Sequence, residues 1–269
     1  MYDFFAHTPG WIVLAVFMLV PAVIAMALHA AFRRVVPASK LLPHHNVAGF
    51  LVAVVGVLYA VMLGFLVISV WNSFDQAQRN ADAETTSIAD ILYLARTMPA
   101  DTRRRIRGSL GQYAYEVRDT EWEMLANEQE DVRARALMVS ALQAVATMRI
   151  PASANESEIL RLSALRASAL ESFRDLAAHR RQRVLDAQSH VQGPMYFALA
   201  AGGLILMAFV FLFGVENLVL QLIMTGLVAA MIGLQVGVIF EMDRPFWGAI
   251  HVTSDAWTLL IVDNHLESP

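Results

Sequence analysis

Few side chains in this sequence have the type and spacing needed for catalysis. His251, Ser254 and Asp255 combine a base, a hydroxyl and a carboxylate, but their spacing gives no reason to expect a catalytic arrangement. The sequence contains no nucleophile elbow, phosphate-binding loop or His-Glu-x-x-His helix, and no cysteine for thiol chemistry. His44 and His45 lack the carboxylate or cysteine companion that a metal site needs. We therefore predict that the protein is not an enzyme and has no metal site or cofactor.

The composition is typical of a membrane protein. Of the 269 residues, 57% are hydrophobic and 16% are charged, and the mean hydropathy is +0.49. Soluble domains have about 45–50% apolar and about 25% charged residues. The net charge of −4 and the isoelectric point near 6.0 give no general attraction for nucleic acid. We therefore expect membrane lipid, and no nucleic acid, among the partners.

Four stretches are long and apolar enough to cross a bilayer, which takes about 20 helical residues. They are Trp11 to Phe32, Val47 to Trp71, Pro194 to Phe213 and Leu218 to Phe240. None contains Asp, Glu, Lys or Arg, and none alternates as a strand would. No basic residue precedes the first stretch, and it is longer than the roughly 7–15 apolar residues of a signal peptide. We therefore predict a retained span.

The segment between the second and third spans has a different composition. Residues 72–193 hold 16 of the 20 basic and 17 of the 24 acidic residues, and their apolar residues recur at helical spacing. We therefore predict an all-α membrane protein with four transmembrane helices and a large helical aqueous domain inserted between the second and third spans. The predicted parts are a first transmembrane hairpin (1–71), the helical aqueous domain (72–193), a second transmembrane hairpin (194–240) and a C-terminal tail (241–269).

Capping residues and helix breakers divide the aqueous domain into helices. No Pro or Gly occurs from Val70 to Met98, so the second span is predicted to continue into the aqueous domain as far as Pro99. A further helix is predicted over Glu130 to Met148. Another is predicted to start at a capping box, Ser153 to Glu156, and to run to His190. The short loops predict that these helices pack as antiparallel neighbours.

Two groups of residues resemble recurrent elements of a known family. The first group comprises Asn46 to Phe50, Gly56 to Ala60, Gly64, Phe65, Trp71, Glu84, Leu92 to Arg96 and Pro99. The second group is Asp243 to Gly248, directly after the last span. Both groups resemble the bestrophin-like family of uncharacterised bacterial integral membrane proteins.

The resemblance implies a function and a layout. Bestrophins are oligomeric anion channels in which four spans surround a central pore lined by the second helix. The resemblance therefore implies a homo-oligomer, a pentamer by analogy with a tetramer as the alternative. It also implies a bacterial inner-membrane location with the aqueous domain and both termini in the cytoplasm. Bestrophins bind calcium through an acidic cluster after the last span. In this chain Glu241 and Asp243 are not followed by an acidic run, so the resemblance does not extend to calcium gating.

The second span presents two neighbouring rows of residues at helical spacing. The small row of the second span lets helix backbones approach closely and consists of Gly49, Ala53, Gly56, Ala60 and Gly64. The pore row is mostly apolar and consists of Phe50, Val54, Val57, Val61, Phe65, Ile68 and Asn72. If the small row packs against neighbouring helices, the pore row lines a narrow conduit that gates by dewetting. The alternative for the small row is packing within one subunit, and the alternative for the pore row is contact with lipid.

The fourth span has a similar small row and several polar side chains. This row predicts tight helix packing and consists of Gly226, Ala230, Gly233 and Gly237. Gln221, Thr225 and Gln235 are the main polar residues there; they either bridge helices or contribute to permeation. His29 in the first span is interpreted as interfacial.

Arg244 follows the fourth span and is a candidate for the mouth of the pore. Its charge would attract anions there, while pairing with Glu241 or Asp243 is the structural alternative.

The leading hypothesis is a homo-oligomeric anion channel whose partners are other copies of itself, membrane lipid and permeant anions. The rival is a non-conducting sensor or scaffold whose helical domain binds a partner protein.

Overall fold

The computed structural model describes residues 8–42 and 45–266, where the regular elements are helices and no strand occurs. The all-α prediction is therefore confirmed for this part of the chain. The helices are α1 (Gly10–Val35), α2 (Ala38–Leu41), α3 (His45–Ala95), α4 (Ala100–Glu116), a π-helix (Val117–Glu121), α5 (Trp122–Leu125), α6 (Val132–Ala146), α7 (Glu156–Gln188), α8 (Gly193–Phe211), α9 (Leu218–Met242) and α10 (Asp255–Asp263).

The chain divides into two compact units. The membrane unit comprises Met1–Ser73, His190–Arg244 and Gly248–Ile250, and the helical unit comprises Phe74–Ser189, Pro245–Trp247 and His251–Pro269. Four helices in the described ranges are long and apolar enough to cross a membrane: α1, α3, α8 and α9.

The helical unit has one continuous hydrophobic core. Its fully buried side chains come from all of the unit's longer helices, because each of them has an apolar face at helical spacing. They include Ile88, Ile91, Leu110, Tyr113, Val145, Leu176 and Trp257.

The helix caps differ in part from those predicted. Asn155 is the N-cap of α7, and its side-chain oxygen accepts a hydrogen bond from the backbone N–H of Glu158. The capping box that begins at Ser153 is therefore wrong, because the helix starts two residues later than that motif requires. Asp131 caps α6 by accepting from the N–H groups of Arg133 and Ala134.

The segment predicted as a C-terminal tail contains α10. Trp257 on this helix is fully buried in the core of the helical unit. Arg107 on α4 donates to the backbone carbonyls of Asn264 and His265 at 3.0 Å each. A cation at the carboxyl end of a helix is favoured by the exposed carbonyl groups there, so Arg107 anchors the end of α10.

Candidate functional site

The part of α3 that belongs to the membrane unit has a buried rear face and an exposed front face. The buried side chains are Ala48, Tyr59, Leu63, Leu66 and Val70. They recur at spacings that keep them on one side of a helix, and Tyr59 among them contacts α8. The rest of the surface of this segment contacts little of its own chain.

The pore row lies on the front face. Its six apolar side chains are between 42% and 71% exposed, and Asn72 is exposed as well. At 3.6 residues per turn the centre of the pore row lies about 160° around the helix from the centre of the rear face. The row therefore points away from the helices that α3 contacts within its own chain.

The small row of the second span lies on a flank between these two faces. Ala53, Ala60 and Gly64 are exposed, and a Cβ atom at Gly64 would meet nothing within 4 Å. Gly49 is closer to its own chain, since a Cβ there would lie 3.2 Å from the ring of Phe213. A Cβ at Gly56 would reach Leu206 at 3.8 Å, an ordinary contact.

The close contact between α3 and α8 involves Gly202 and Gly203, which the sequence analysis did not select, and Tyr59, which it selected only as part of the family resemblance. The ring of Tyr59 lies over Gly202 and Gly203, where a Cβ at Gly202 would come within 2.7 Å of the ring. The Tyr59 hydroxyl donates to the carbonyl of Leu199 at 3.1 Å. The sequence signal for this contact is a Gly-Gly pair on one span together with an aromatic residue on another span.

The small row of the fourth span lies against α1. A Cβ at Gly226 would come within 2.8 Å of the sulfur of Met26, and one at Gly237 within 2.8 Å of Phe17. A Cβ at Gly233 would collide with the backbone carbonyl of Phe17. Ala230 is partly buried. These glycines allow α9 to approach α1 at backbone distance.

Polar side chains of the spans bond to one another or to the backbone. The Nδ1 atom of His29 lies 2.7 Å from the Thr225 hydroxyl, which also lies 3.0 Å from the carbonyl of Gln221. His29 is fully buried among the helices of its own chain. Its ring packs 4.5 Å from that of Phe211, and Thr225 offers the polar partner that makes this burial tolerable. Gln235 is partly buried.

The carboxylate of Asp243 holds the exit of the fourth span. Asp243 accepts from the backbone N–H of Val191 at 2.6 Å and from the hydroxyl of Tyr196 at 2.8 Å. Glu241 is fully buried, and Arg244 is partly exposed. Because Asp243 ties the end of α9 to the start of α8, the position of Arg244 at this exit is fixed by the backbone.

The helical unit contains a buried cluster of charges that the sequence analysis missed. Arg183 on α7 pairs with Glu84 on α3 at 2.6 Å and with Glu121 of the π-helix at 2.8 Å. Arg180 pairs with Glu121 at 2.6 Å, and the Tyr113 hydroxyl donates to Glu84. Arg180 also pairs with Glu130 at 3.3 Å, and Glu130 pairs in turn with Arg135. Three guanidinium groups therefore face three carboxylates, and the cluster joins helices through balanced charges.

The titration of this cluster follows from its burial and its charges. Burial raises the pKa of Glu121, but the charges and hydrogen bonds of Arg183 and Arg180 outweigh this effect. The pKa of Glu121 therefore lies below its ordinary value. Burial, followed by the charge of Glu84, raises the pKa of Tyr113 well above its usual range. Glu121 therefore remains ionised and Tyr113 remains protonated at neutral pH.

Within residues 8–42 and 45–266, no group of three or more His, Asp or Glu side chains could hold a metal ion. His44, and the side chain of His45, lie outside the described residues.

Comparison with known proteins gave one family and a set of similar structures. A family model of the Bestrophin-like domain matches residues 19–257. A crystal structure of a bacterial bestrophin homologue from Klebsiella pneumoniae, carrying a point mutation, aligns with a TM-score of 0.66 at 15% identity and covers 94% of this chain and 99% of that one. A second mutant of the homologue aligns with a TM-score of 0.66 at 14% identity, covering 94% of this chain and 97% of that one.

The TM-scores show that the fold is shared. Because the identities are low, these structural matches show the fold alone. None of the curated proteins with which the chain was compared matches it significantly.

Proposed function

Because this chain belongs to the bestrophin-like family, we propose that it assembles into a homo-oligomeric, anion-conducting channel with the pore row of α3 around a central pore. The chain is a membrane protein with four apolar helices. The proposed orientation places the helical unit and both termini in the cytoplasm of a bacterium, with the spans in its inner membrane.

The observation that carries this proposal is the exposed pore row opposite the rear face of α3. A ring of copies needs a helix that packs on its own subunit with one side and faces the axis with the other. The two sides of α3 have this relation, about 160° apart. The row contains no charged residue, and Val57 and Val61 near its middle would form an apolar constriction that opens by wetting.

The dimensions of such a ring favour five copies. Helices about 10 Å apart place five axes about 8.5 Å from the centre, and a helix with side chains has a radius of about 5–6 Å. About 3 Å of radius then remains for the passage, against about 1.5 Å for four copies. The wider passage admits an ion that keeps part of its hydration shell.

The remaining features support this arrangement. Ala53, Ala60 and Gly64 leave the flank of α3 open for the close approach of a neighbouring copy. The amide N–H groups of Asn72 at the end of the pore row can donate to an anion. Arg244 at the exit of α9 would raise the anion concentration near the pore mouth.

The proposal is tested by the mass of the purified particle and by halide flux in liposomes. Val61→Ser, which makes the constriction more polar, should raise the basal flux severalfold because a polar wall wets more easily. Leu204→Ser is the matched control: Leu204 lies on α8 and is 72% exposed, but it is not in the pore row. This control should leave the flux unchanged.

Two results would contradict the proposal. A monomeric particle has no shared passage, and it would favour a non-conducting sensor or scaffold whose helical unit binds a partner protein. The second result is an oligomer that carries no halide as wild type, as Val61→Ser or as Leu204→Ser. The protein would then assemble without conducting, and the pore row would be a surface for lipid contact or helix packing.

A further inference from the structure

The membrane unit contains a small cavity behind α3. Its volume is about 160 Å³, and its walls are largely apolar. Val52 of α3 forms one side, Val210 comes from the end of α8, Phe213 from the loop that follows it, and Met224 and Val228 from α9. An engineered cavity of about 150 Å³ with apolar walls binds benzene, so this cavity has the size of a single aromatic ring.

One buried acceptor in the cavity wall has no partner among the described protein atoms. Gln221 is 2% exposed and lines the cavity, and its amide N–H donates to the carbonyl of Phe213. That carbonyl can only accept, so it fixes the orientation of the amide and leaves Oε1 as the unpaired atom. Thr225, the other polar residue of the wall, already bonds to His29 and to the backbone of its own helix.

We propose that this cavity binds a small amphiphile, a ring-sized apolar molecule with one hydroxyl group that donates to Oε1 of Gln221. An apolar body matches the walls, and the hydroxyl satisfies an acceptor that is costly to leave unpaired in an apolar site. A purely apolar ring leaves that acceptor unpaired. Arg33 donates to the backbone carbonyl of the wall residue Val215 but does not itself line the cavity, and the amide oxygen of Gln221 would repel an anion, so a neutral occupant is favoured.

The site lies at the rear of the same helix whose front face carries the pore row. Val52 is part of the cavity wall, and a Cβ at Gly49, one turn earlier, would lie 3.2 Å from the ring of Phe213. An occupant would therefore contact α3 directly while remaining outside the proposed pore. Binding itself does not depend on ion conduction, so this proposal and the channel proposal can fail separately.

Fluorine NMR of the full-length protein in lipid nanodiscs tests the site with two matched probes, 4-fluorophenol and fluorobenzene. Protein-free nanodiscs give the uptake into lipid alone. Wild-type protein should bind 4-fluorophenol saturably and about tenfold more tightly than fluorobenzene, as one added hydrogen bond allows. Gln221→Leu should lose this tenfold preference and retain the weaker binding of fluorobenzene.

A second variant keeps the test decisive if Gln221→Leu fails to fold. Val228→Phe fills the cavity without changing the amide, and it should abolish saturable binding of both probes. Leu227→Phe is its matched control, because Leu227 is the adjacent residue on α9 but is 66% exposed and outside the wall. Equal binding of the two probes to wild type, uptake equal to that of protein-free discs, or unchanged binding by Val228→Phe would overturn the proposal.

Discussion

Replacing Arg183 by Met should destabilise the helical unit strongly. Arg183 is fully buried and pairs with both Glu84 and Glu121, so its loss removes a positive charge from between two carboxylates. Breaking a buried ion pair by removing one partner costs about 3–5 kcal/mol. For a protein of this size about 1 kcal/mol lowers the unfolding midpoint by about 2–4 °C, so a drop of about 10 °C is expected.

Tryptophan fluorescence during heating of the full-length protein in detergent measures this drop. The guanidinium carbon of Arg183 lies 5.5 Å and 5.7 Å from the ring centres of Trp122 and Trp257, so both report on the cluster. Arg181→Met is the matched control, since Arg181 is exposed on the same helix, and a change within about 0.5 kcal/mol is expected.

The dependence on pH distinguishes lost charge pairing from lost packing. Without Arg183 the buried Glu121 carboxylate favours protonation, so the difference between Arg183→Met and wild type should begin to narrow as the pH falls towards the ordinary carboxyl pKa. It should narrow further below that pKa, where wild type loses the stabilising contribution of Glu121. Adding Glu84→Gln to Arg183→Met should recover part of the loss, because it removes one unpaired charge. A drop no larger than that of Arg181→Met would refute the reasoning.

Three further outcomes are expected from the same thermal measurement. Gly202→Ala should cost about 1–3 kcal/mol, because the added Cβ would lie 2.7 Å from the ring of Tyr59; an unchanged midpoint would contradict this contact. Asn155→Ala should cost about 1 kcal/mol through loss of the helix cap, whereas Ser153→Ala should have almost no effect. A larger loss of stability for Ser153→Ala than for Asn155→Ala would instead support the capping box at Ser153. The pKa of Glu121 in the folded protein is held below the ordinary value of 4.5. Its contribution to stability is therefore complete above pH 4.5 and is lost as the pH falls through the pKa of the folded state. An unfolding midpoint that does not change over this range of acid pH would argue against the pairing.

Much of the fold follows from patterns that are local in the sequence. The apolar runs are long enough to satisfy every backbone amide in a membrane helix, so the four helices could be predicted from length and composition. The absence of Pro and Gly after Val70 likewise predicts the continuation of α3, which runs to Ala95. The end of α3 before Pro99 follows from the same local chemistry.

The arrangement of side chains in space needed the tertiary structure. Glu84 occupies a helical position between the buried residues Ala81 and Ile88, so a charge on an apolar face was visible in the sequence. Its partner Arg183 lies 99 residues away, and no local pattern specifies that pairing. The burial of His29 depends in the same way on Thr225, which is distant in the chain.

The sequence by itself determined the helical class, the apolar spans and the two rows on the second span, because each depends only on residue type and helical period. Only the tertiary structure decided which face of α3 is covered by its own chain, since that depends on where Gly202 and Gly203 admit Tyr59. The same packing determines that the small row of the fourth span lies against α1, while much of the corresponding row on α3 stays exposed. Similar small-residue patterns therefore have different environments, because helix contacts are set by the shapes of both partners.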